Sequence, residues 1–420
     1  MDHDEYADRA RDVLGYSRWW LLLAAAAMMA VVGPYQYVWS SLREPIARQL
    51  GIHSAALSTV FTLFVIVQAG SQFPVGWWRD RHGPRWLTVA AALLAGGGYL
   101  GLSVAATVWQ IYLAYSLGAF GVGIVYTIAV NTALKWFPDR RGLTSGVGTM
   151  AFAAGSAALV PYVRANTGPA LPGDAYATVL RNVGVLILGV ILAGALVLRD
   201  PPDGWLDDGE RESGRQTASR GPQVTWRSML RTWQFWLMYG MFVAVSGAGL
   251  MLTEKIVSYA DQLGLAAVVA TAAATLLPLA GGVGRLVLGA ASDHVDRTNA
   301  MAATFVTLGL ALVGVVYFGE VGAQVAFVVA VVVATFFWSP QYTLFPSLVG
   351  DYYGEAHSSA NYALLYSGKM WGGVFGGTVT GFLVTRLGWN ATFLLGGAIA
   401  ILAGVAALLL REPDVASEGR

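Results

Sequence analysis

Twelve apolar runs punctuate this chain. Each is roughly 18–25 residues long, the length an α-helix needs to cross a bilayer core of about 30 Å. They fall near 19–41, 55–77, 86–106, 109–133, 142–163 and 180–198, then near 233–258, 265–290, 299–318, 322–345, 358–384 and 389–410. Composition agrees with that reading, since 56% of the 420 residues are hydrophobic and only 12% are charged. Soluble domains carry about 25% charged residues. The expected fold class is an all-α integral membrane protein with 12 transmembrane helices, its solvent the lipid bilayer.

The only long polar stretch, Arg199 to Arg231, opens on Asp-Pro-Pro-Asp-Gly and continues with charges, Gly, Ser, Thr and Gln. It reads as a flexible linker. It divides the chain into an N-terminal six-helix half (1–198), a cytoplasmic linker (199–231) and a C-terminal six-helix half (232–420). Lys and Arg orient the whole. With both termini cytoplasmic, five of the 26 basic residues fall in outer segments (Arg43, Arg48, Arg164, Arg181 and Arg386) and three in spans (Lys255, Arg285 and Lys369). The rest are inside. The stretch Met1 to Tyr16 mixes acids and arginines and lacks a signal-peptide pattern, so the first apolar run is expected to be retained. A multi-pass protein of the cell membrane follows.

Other function classes find no support. The net charge of +1 offers nothing to nucleic acid. No cysteine is present, which removes disulfides, thiolate zinc sites and cysteine nucleophiles. The five histidines (His3, His53, His82, His294 and His357) sit in tails, loops or helix ends without metal-ligand spacing. No enzyme, metal site or cofactor is expected, and a monomer is.

The two halves repeat. Between the second and third runs lies Gly76-Trp-Trp-Arg-Asp80-Arg81-His-Gly83-Pro-Arg85; between the eighth and ninth lies Gly289-Ala-Ala-Ser-Asp293-His-Val-Asp296-Arg297. Each has Gly, then Asp four residues on, then a basic residue. Internal repeats of this kind mark secondary transporters with a site between the halves. The first loop resembles the inner-loop signature of the major facilitator superfamily. That resemblance implies its fold, two pseudo-symmetric six-helix halves. It also implies that Asp80, Arg81, Arg85, Arg140, Arg141 and Asp293 clasp the halves when the inner side is shut. Positive-inside anchoring is the plainer alternative for these residues.

A closer resemblance runs through both halves. Gln36-Tyr-Val-Trp39, Phe61-Thr-Leu, Gln68-Ala-Gly-Ser-Gln72, Gly121-Val-Gly-Ile-Val-Tyr126, Asn131-Thr132, Trp136-Phe-Pro-Asp-Arg-Arg-Gly142, Leu344-Phe-Pro-Ser347 and Asn361-Tyr362 are similar, in order and spacing, to the oxalate:formate antiporter family.

Ionisable residues inside a span are costly and are functional candidates by default. Arg285 lies roughly 12 Å along its helix from Asp293, and Lys369 roughly 18 Å from His357 at the inner helix end. Two deep cations without a deep carboxylate partner point to an anionic substrate. The alternative is pairing with backbone carbonyls or a misplaced carboxylate. Arg suits a bidentate carboxylate grip and Lys a compact second charge. The family resemblance places Arg285 and Lys369 at carboxylate-binding positions.

Tyr362, Tyr366, Lys369 and Gly373 share one helix face, as do Gly281, Arg285 and Gly289, and as do Trp338, Tyr342 and Phe345. By spacing alone the aromatic stripe on the tenth run reads more readily as packing than as site. The resemblance moves Trp338, Tyr342, Gln36, Tyr37 and Tyr126 toward the pocket lining. Ser58, Phe152 and Tyr366 replace Gln, Tyr and Trp of the family pattern, which leaves formate, lactate-like monocarboxylates and other small dicarboxylates open beside oxalate. Glu254 and Lys255 lie near the outer end of the seventh run, as an outer gate, a coupling acid or an interfacial pair. The expected function is secondary transport of small carboxylates by alternating access, with exchange as the preferred mode. Proton-coupled or facilitated monocarboxylate transport is the alternative, and a sensor that binds without translocating a third reading.

Overall fold

The computed structural model describes residues 3–137, 141–168, 175–202, 224–291, 295–354 and 358–413. Helices are the only regular structure among them. A short amphipathic helix, α1 (His3–Leu14), precedes the first crossing. That crossing is α2 (Trp19–Val32), α3 (Pro34–Tyr37) and α4 (Trp39–Leu50) in series. Then come α5 (Ser54–His82), α6 (Arg85–Val104), α7 (Val108–Trp136), α8 (Arg141–Asn166) and α9 (Ala175–Val197). The second set is α10 (Trp226–Met229), α11 (Trp233–Gln262), α12 (Ala267–Ala291), α13 (Arg297–Glu320), α14 (Gln324–Trp338), α15 (Gln341–Tyr353), α16 (Ser358–Tyr366), α17 (Gly368–Val374), a π-helical turn over Phe375–Val379, α18 (Thr380–Leu387) and α19 (Trp389–Ala407).

Eleven stretches are long and apolar enough to cross a membrane among the described residues. The twelfth crossing is the run over 358–387, cut by irregular turns into pieces too short to qualify alone. Backbone chemistry sets the breaks. Pro34 has no N–H and begins α3, and Pro340 stands just before α15, the tenth crossing's second piece. Ends are equally local. Gly51 and Gly83 take positive φ angles of 63° and 71°, which close α4 and α5 without a Cβ penalty. Thr107 and Gln110 form a capping box at the start of α7. In the second loop copy Asp296 stands where the first has Gly83, and it caps α13 through Asn299 N–H at 2.9 Å. The Thr298 hydroxyl and that N–H hold its carboxyl below the usual carboxylate range.

The helices form two six-helix bundles with the same internal packing order. In the first, α6 packs on α9 and α7, α5 on α7, and α2 on α8 and α9. In the second, α13 packs on α19 and α14, α12 on α14, and α11 on α17 and α19. Small residues bring equivalent pairs together: Gly96 lies against Gly184, and Gly309 against Gly397. Without a hydrophobic drive between helices in lipid, such close backbone approach is what binds them. Between the bundles, α5 meets α17 and the π turn, α8 meets α12, and α4 meets α11.

The polar stretch between the bundles is not loose at its ends. Asp200 accepts from Arg79 at 2.8 Å and Lys135 at 2.9 Å. Val224 is buried, donating to Tyr353 O and accepting from Asn361 Nδ2, both at 2.9 Å. The expectation of a flexible linker over Arg199–Arg231 is corrected at both ends, where backbone and charge satisfaction against the bundles fixes the chain. Its middle lies outside the described residues.

Candidate functional site

Two cations from the second bundle, both within membrane-spanning stretches, meet aromatic and amide groups of both bundles. Gly281 and Gly284 draw α12 against α14; a Cβ at Gly281 would sit 3.3 Å from Ser339 Oγ. This lets Arg285 donate from Nε to Ser339 Oγ at 2.6 Å, in the break between α14 and α15. Its guanidinium carbon lies 4.9 Å from the Tyr342 ring centroid, and the guanidinium faces the hydroxyls of Tyr37 and Tyr126. Phe152 stands edge-on to both tyrosines, at 5.9 and 5.7 Å, and fixes that wall.

Lys369, on α17, points at the first bundle. Its Nζ donates to Gln68 Oε1 at 3.1 Å, Gln36 Oε1 at 3.5 Å and Tyr366 OH at 3.3 Å. It also lies 5.7 Å from the centroid of Tyr342, so both cations border the same ring. Tyr342 contacts Tyr366, and Tyr366 contacts Tyr362. Trp338 packs on Tyr342 with its indole against Gly249. Arg285 and Lys369 are 9% and 4% exposed, and neither has a carboxylate partner among the described residues. Amides, hydroxyls and rings soften two buried charges but do not neutralise them. An ion withdrawn from water without a counter-charge costs several kcal/mol. An anion bridging the pair supplies what the protein omits.

Gln68 and Gln72 sit in the family-like motif of α5 without a role visible in the sequence, and Phe242 lies outside every motif there. Gln68 faces Lys369 directly. Phe242 stands edge-on to Tyr342 and Phe345, behind the cage.

Ser58 was expected in the pocket; the structure places it elsewhere. Its Oγ accepts from Lys255 Nζ at 2.5 Å. It sits ten residues from Gln68 on α5, roughly 15 Å toward the face opposite the termini. There Lys255 also pairs with Glu254 at 2.7 Å, and Glu254 with Arg43 Nη1 at 2.9 Å. Arg43 reaches Glu44 at 3.3 Å. Glu254 is 0% exposed, Lys255 2% and Arg43 3%. The pair is therefore not interfacial, and Arg43 is not an outer-loop residue. It shares the buried face of α4 with Trp39, Leu42 and Ile46. The cluster ties α4 and α5 to α11, across the two bundles. Nearby, Arg164 of α8 donates to Thr271 Oγ1 of α12 at 2.6 Å. A polar vestibule of about 630 Å³ lies on this side, lined in part by Arg43, Glu44, Arg48, Arg164 and Asp261.

The expected inner clasp residues are spread differently. Asp293 and Arg140 lie outside the described residues, as do the side chains of Asp80 and Arg141. Arg81 stacks on Trp77 of its own helix at 3.8 Å. Arg85 heads a groove between α6 and α9, within one bundle. The buried cation of that loop is Arg79, bonded to Thr132 and Asp200. At the end of the second loop copy, Arg297 pairs with Asp351.

Comparison with known proteins adds to this geometry. The family model of the Major Facilitator Superfamily matches residues 19–365 and 342–420. The chain belongs to the major facilitator superfamily. Within it, the oxalate:formate antiporter of Oxalobacter formigenes is 34% identical over 92% of this chain and 90% of its own. That likeness places the chain in the same family. A probable sulfoacetate transporter of Cupriavidus necator is 24% identical over 93% of each chain. Among solved structures, a peptide transporter superposes with a TM-score of 0.73 at 14% identity, covering 97% of this chain and 98% of that one. The nucleoside transporter NupG gives 0.70 at 10% identity, covering 93% and 99%. These last two speak for the fold alone. The protein is a multi-pass membrane transporter of the superfamily, not an enzyme.

Proposed function

We propose that the protein exchanges small carboxylate anions, oxalate and formate among them, across the cell membrane by alternating access. The observation that carries this is the Arg285–Tyr342–Lys369 arrangement, two buried cations near one aromatic ring with no carboxylate beside them among the described residues. Arg285 grips one carboxylate with its planar fork. Lys369 meets a second carboxylate, or the far edge of a single one. Tyr37, Tyr126 and Tyr366 close the cavity, while Gln36 and Gln68 carry the first bundle's share of the contact. Bundles 1–198 and 232–420 rock about this site, with both termini in the cytoplasm. Empty, the site holds two unpaired charges and reorients slowly; loaded, it is neutralised and turns. Obligatory exchange follows from that difference. The activity for which that relative is named, oxalate:formate antiport, supports the same substrates. Glu254 already holds Arg43 and Lys255, which speaks against it as a free proton carrier.

Reconstitution in liposomes tests the reading. Uptake of labelled oxalate, formate and lactate is measured with and without an internal anion, and with and without a pH gradient. Exchange predicts uptake only against an internal carboxylate, indifferent to pH. Uptake driven by a proton gradient into anion-free vesicles overturns it.

A further inference from the structure

The crossing that carries Lys369 is irregular on both sides of it, and a residue of the other bundle is built into one irregularity. Before Lys369, the chain turns at Ser367, whose N–H is shared between Ala363 O and Leu364 O at 3.2 Å each. After it comes the π-helical turn Phe375–Val379. Lys369 thus rides on a seven-residue segment, α17, hinged at each end.

Thr62 of α5 enters the second irregularity. Its Oγ1 accepts the backbone N–H of Thr378 at 2.8 Å and donates to Gly373 O at 3.1 Å. Gly373 and Thr378 are five residues apart, the pair a π-helical hydrogen bond would join directly. The hydroxyl stands between them, and a side chain inserted into the backbone ladder is a recognised cause of a helix kink. Glycines make the approach possible. A Cβ at Gly373 would meet Val65, at Gly377 would meet Thr62 and Ser58 O, and at Gly381 would sit 2.9 Å from Ser58 Oγ. Gly372 and Gly376 bring the other side of the same segment onto the α11 backbone.

We propose that Thr62 is a positioning residue for the anion site: its hydroxyl wedges the eleventh crossing open and so sets the rotation of Lys369 toward Gln68 and Arg285. The inference rests on the alternating-access reading above. Thr62 lies six residues from Gln68, roughly 9 Å toward the face opposite the termini. Rocking that parts the bundles on that face withdraws the hydroxyl. Gly373 O and Thr378 N–H then lose their partner, and the turn closes to α-helical pitch to regain backbone bonding. Taking up one residue turns α17 by about 100° and shifts it about 1.5 Å relative to α18. Lys369 leaves Gln68 as the outer side opens. Access and charge placement become one motion.

The absence of native cysteines makes the test direct. Spin labels are placed on the outer ends of α5 and α18 in the full chain, and their separation is read by pulsed spectroscopy beside anion KM and kcat. Thr62→Val removes the hydroxyl at constant shape. It is expected to shift the label population at least about tenfold toward the open distance, because a buried backbone group left unpaired costs that much. KM is expected to rise with kcat less affected, and Thr62→Ser restores both. Thr59→Val serves as control, since Thr59 accepts from the Thr378 side chain and not from its backbone. Unchanged distances and KM in Thr62→Val, or failure of Thr62→Ser to rescue, overturns the wedge. Should Thr62→Val not fold, exchange protection of the Gly373–Thr378 amides in the wild type decides. Loss of protection on outer opening without later recovery counts against re-closure. If wild type itself shows no anion exchange, the underlying reading fails instead.

Discussion

Replacing Glu254 by Gln removes one charge from a fully buried cluster, with consequences that can be worked through. Glu254 accepts from Arg43 at 2.9 Å and pairs with Lys255 at 2.7 Å. After the change the one anion left beside Arg43 among the described residues is Glu44, whose side chain is 36% exposed, and Lys255 is left with neutral hydroxyl and amide oxygens alone. Breaking a buried pair by removing one partner costs about 3–5 kcal/mol. That cost falls on the state in which α4 and α5 are clamped to α11. Once the bundles part, water reaches the cations and the penalty vanishes. The equilibrium therefore moves toward the outer-open form by roughly a hundredfold to a few thousandfold. Ser41 lines the vestibule and is 3% exposed in the clamped state. A single Ser41→Cys substitution in this cysteine-free chain reports opening by its rate of maleimide labelling. The expected result is labelling at least a hundredfold faster in Glu254→Gln, and slower again by at least tenfold when Lys255→Gln removes the surplus charge. Labelling unchanged by Glu254→Gln, or accelerated further by Lys255→Gln, refutes the clamp.

Two other outcomes follow from the geometry. Gln68→Leu takes away a Lys369 partner at 3.1 Å, and a hydrogen bond to a charged group contributes about 1.5–3 kcal/mol, so anion KM should rise about tenfold or more in counterflow. Gly249→Ala drives a methyl into the Trp338 indole; overpacking of about 1–3 kcal/mol should lower the thermal midpoint in detergent with or without anion, whereas a midpoint equal to wild type contradicts that packing.

The membrane class, the crossings and the two cations are all legible in the sequence, because bilayer thickness and the cost of buried charge act on single segments. Long-range geometry is less so. Arg43 sits beside Glu44 and Pro45, past the first apolar run, and reads as loop. The signal that locates it is helical spacing: Trp39, Leu42, Arg43 and Ile46 lie on one face of α4, and that face is buried. Ser58 stands where the family pattern has a pocket Gln, yet about three helical turns separate it from Gln68. Glu254 and Lys255 are adjacent in sequence, so their common burial depends on what α4 and α5 bring from the other bundle. The interrupted eleventh crossing leaves no trace in hydropathy. Its π turn depends on a threonine more than three hundred residues away.

Equilibrium binding of labelled oxalate to the purified protein bears most directly on the anion site. Arg285→Gln and Lys369→Gln are each expected to weaken binding at least about a hundredfold, the loss of a charged, hydrogen-bonded contact. Each should leave the empty protein as stable as wild type or more so, because an unpaired buried charge has been removed. Wild-type affinity in either variant contradicts the proposed site.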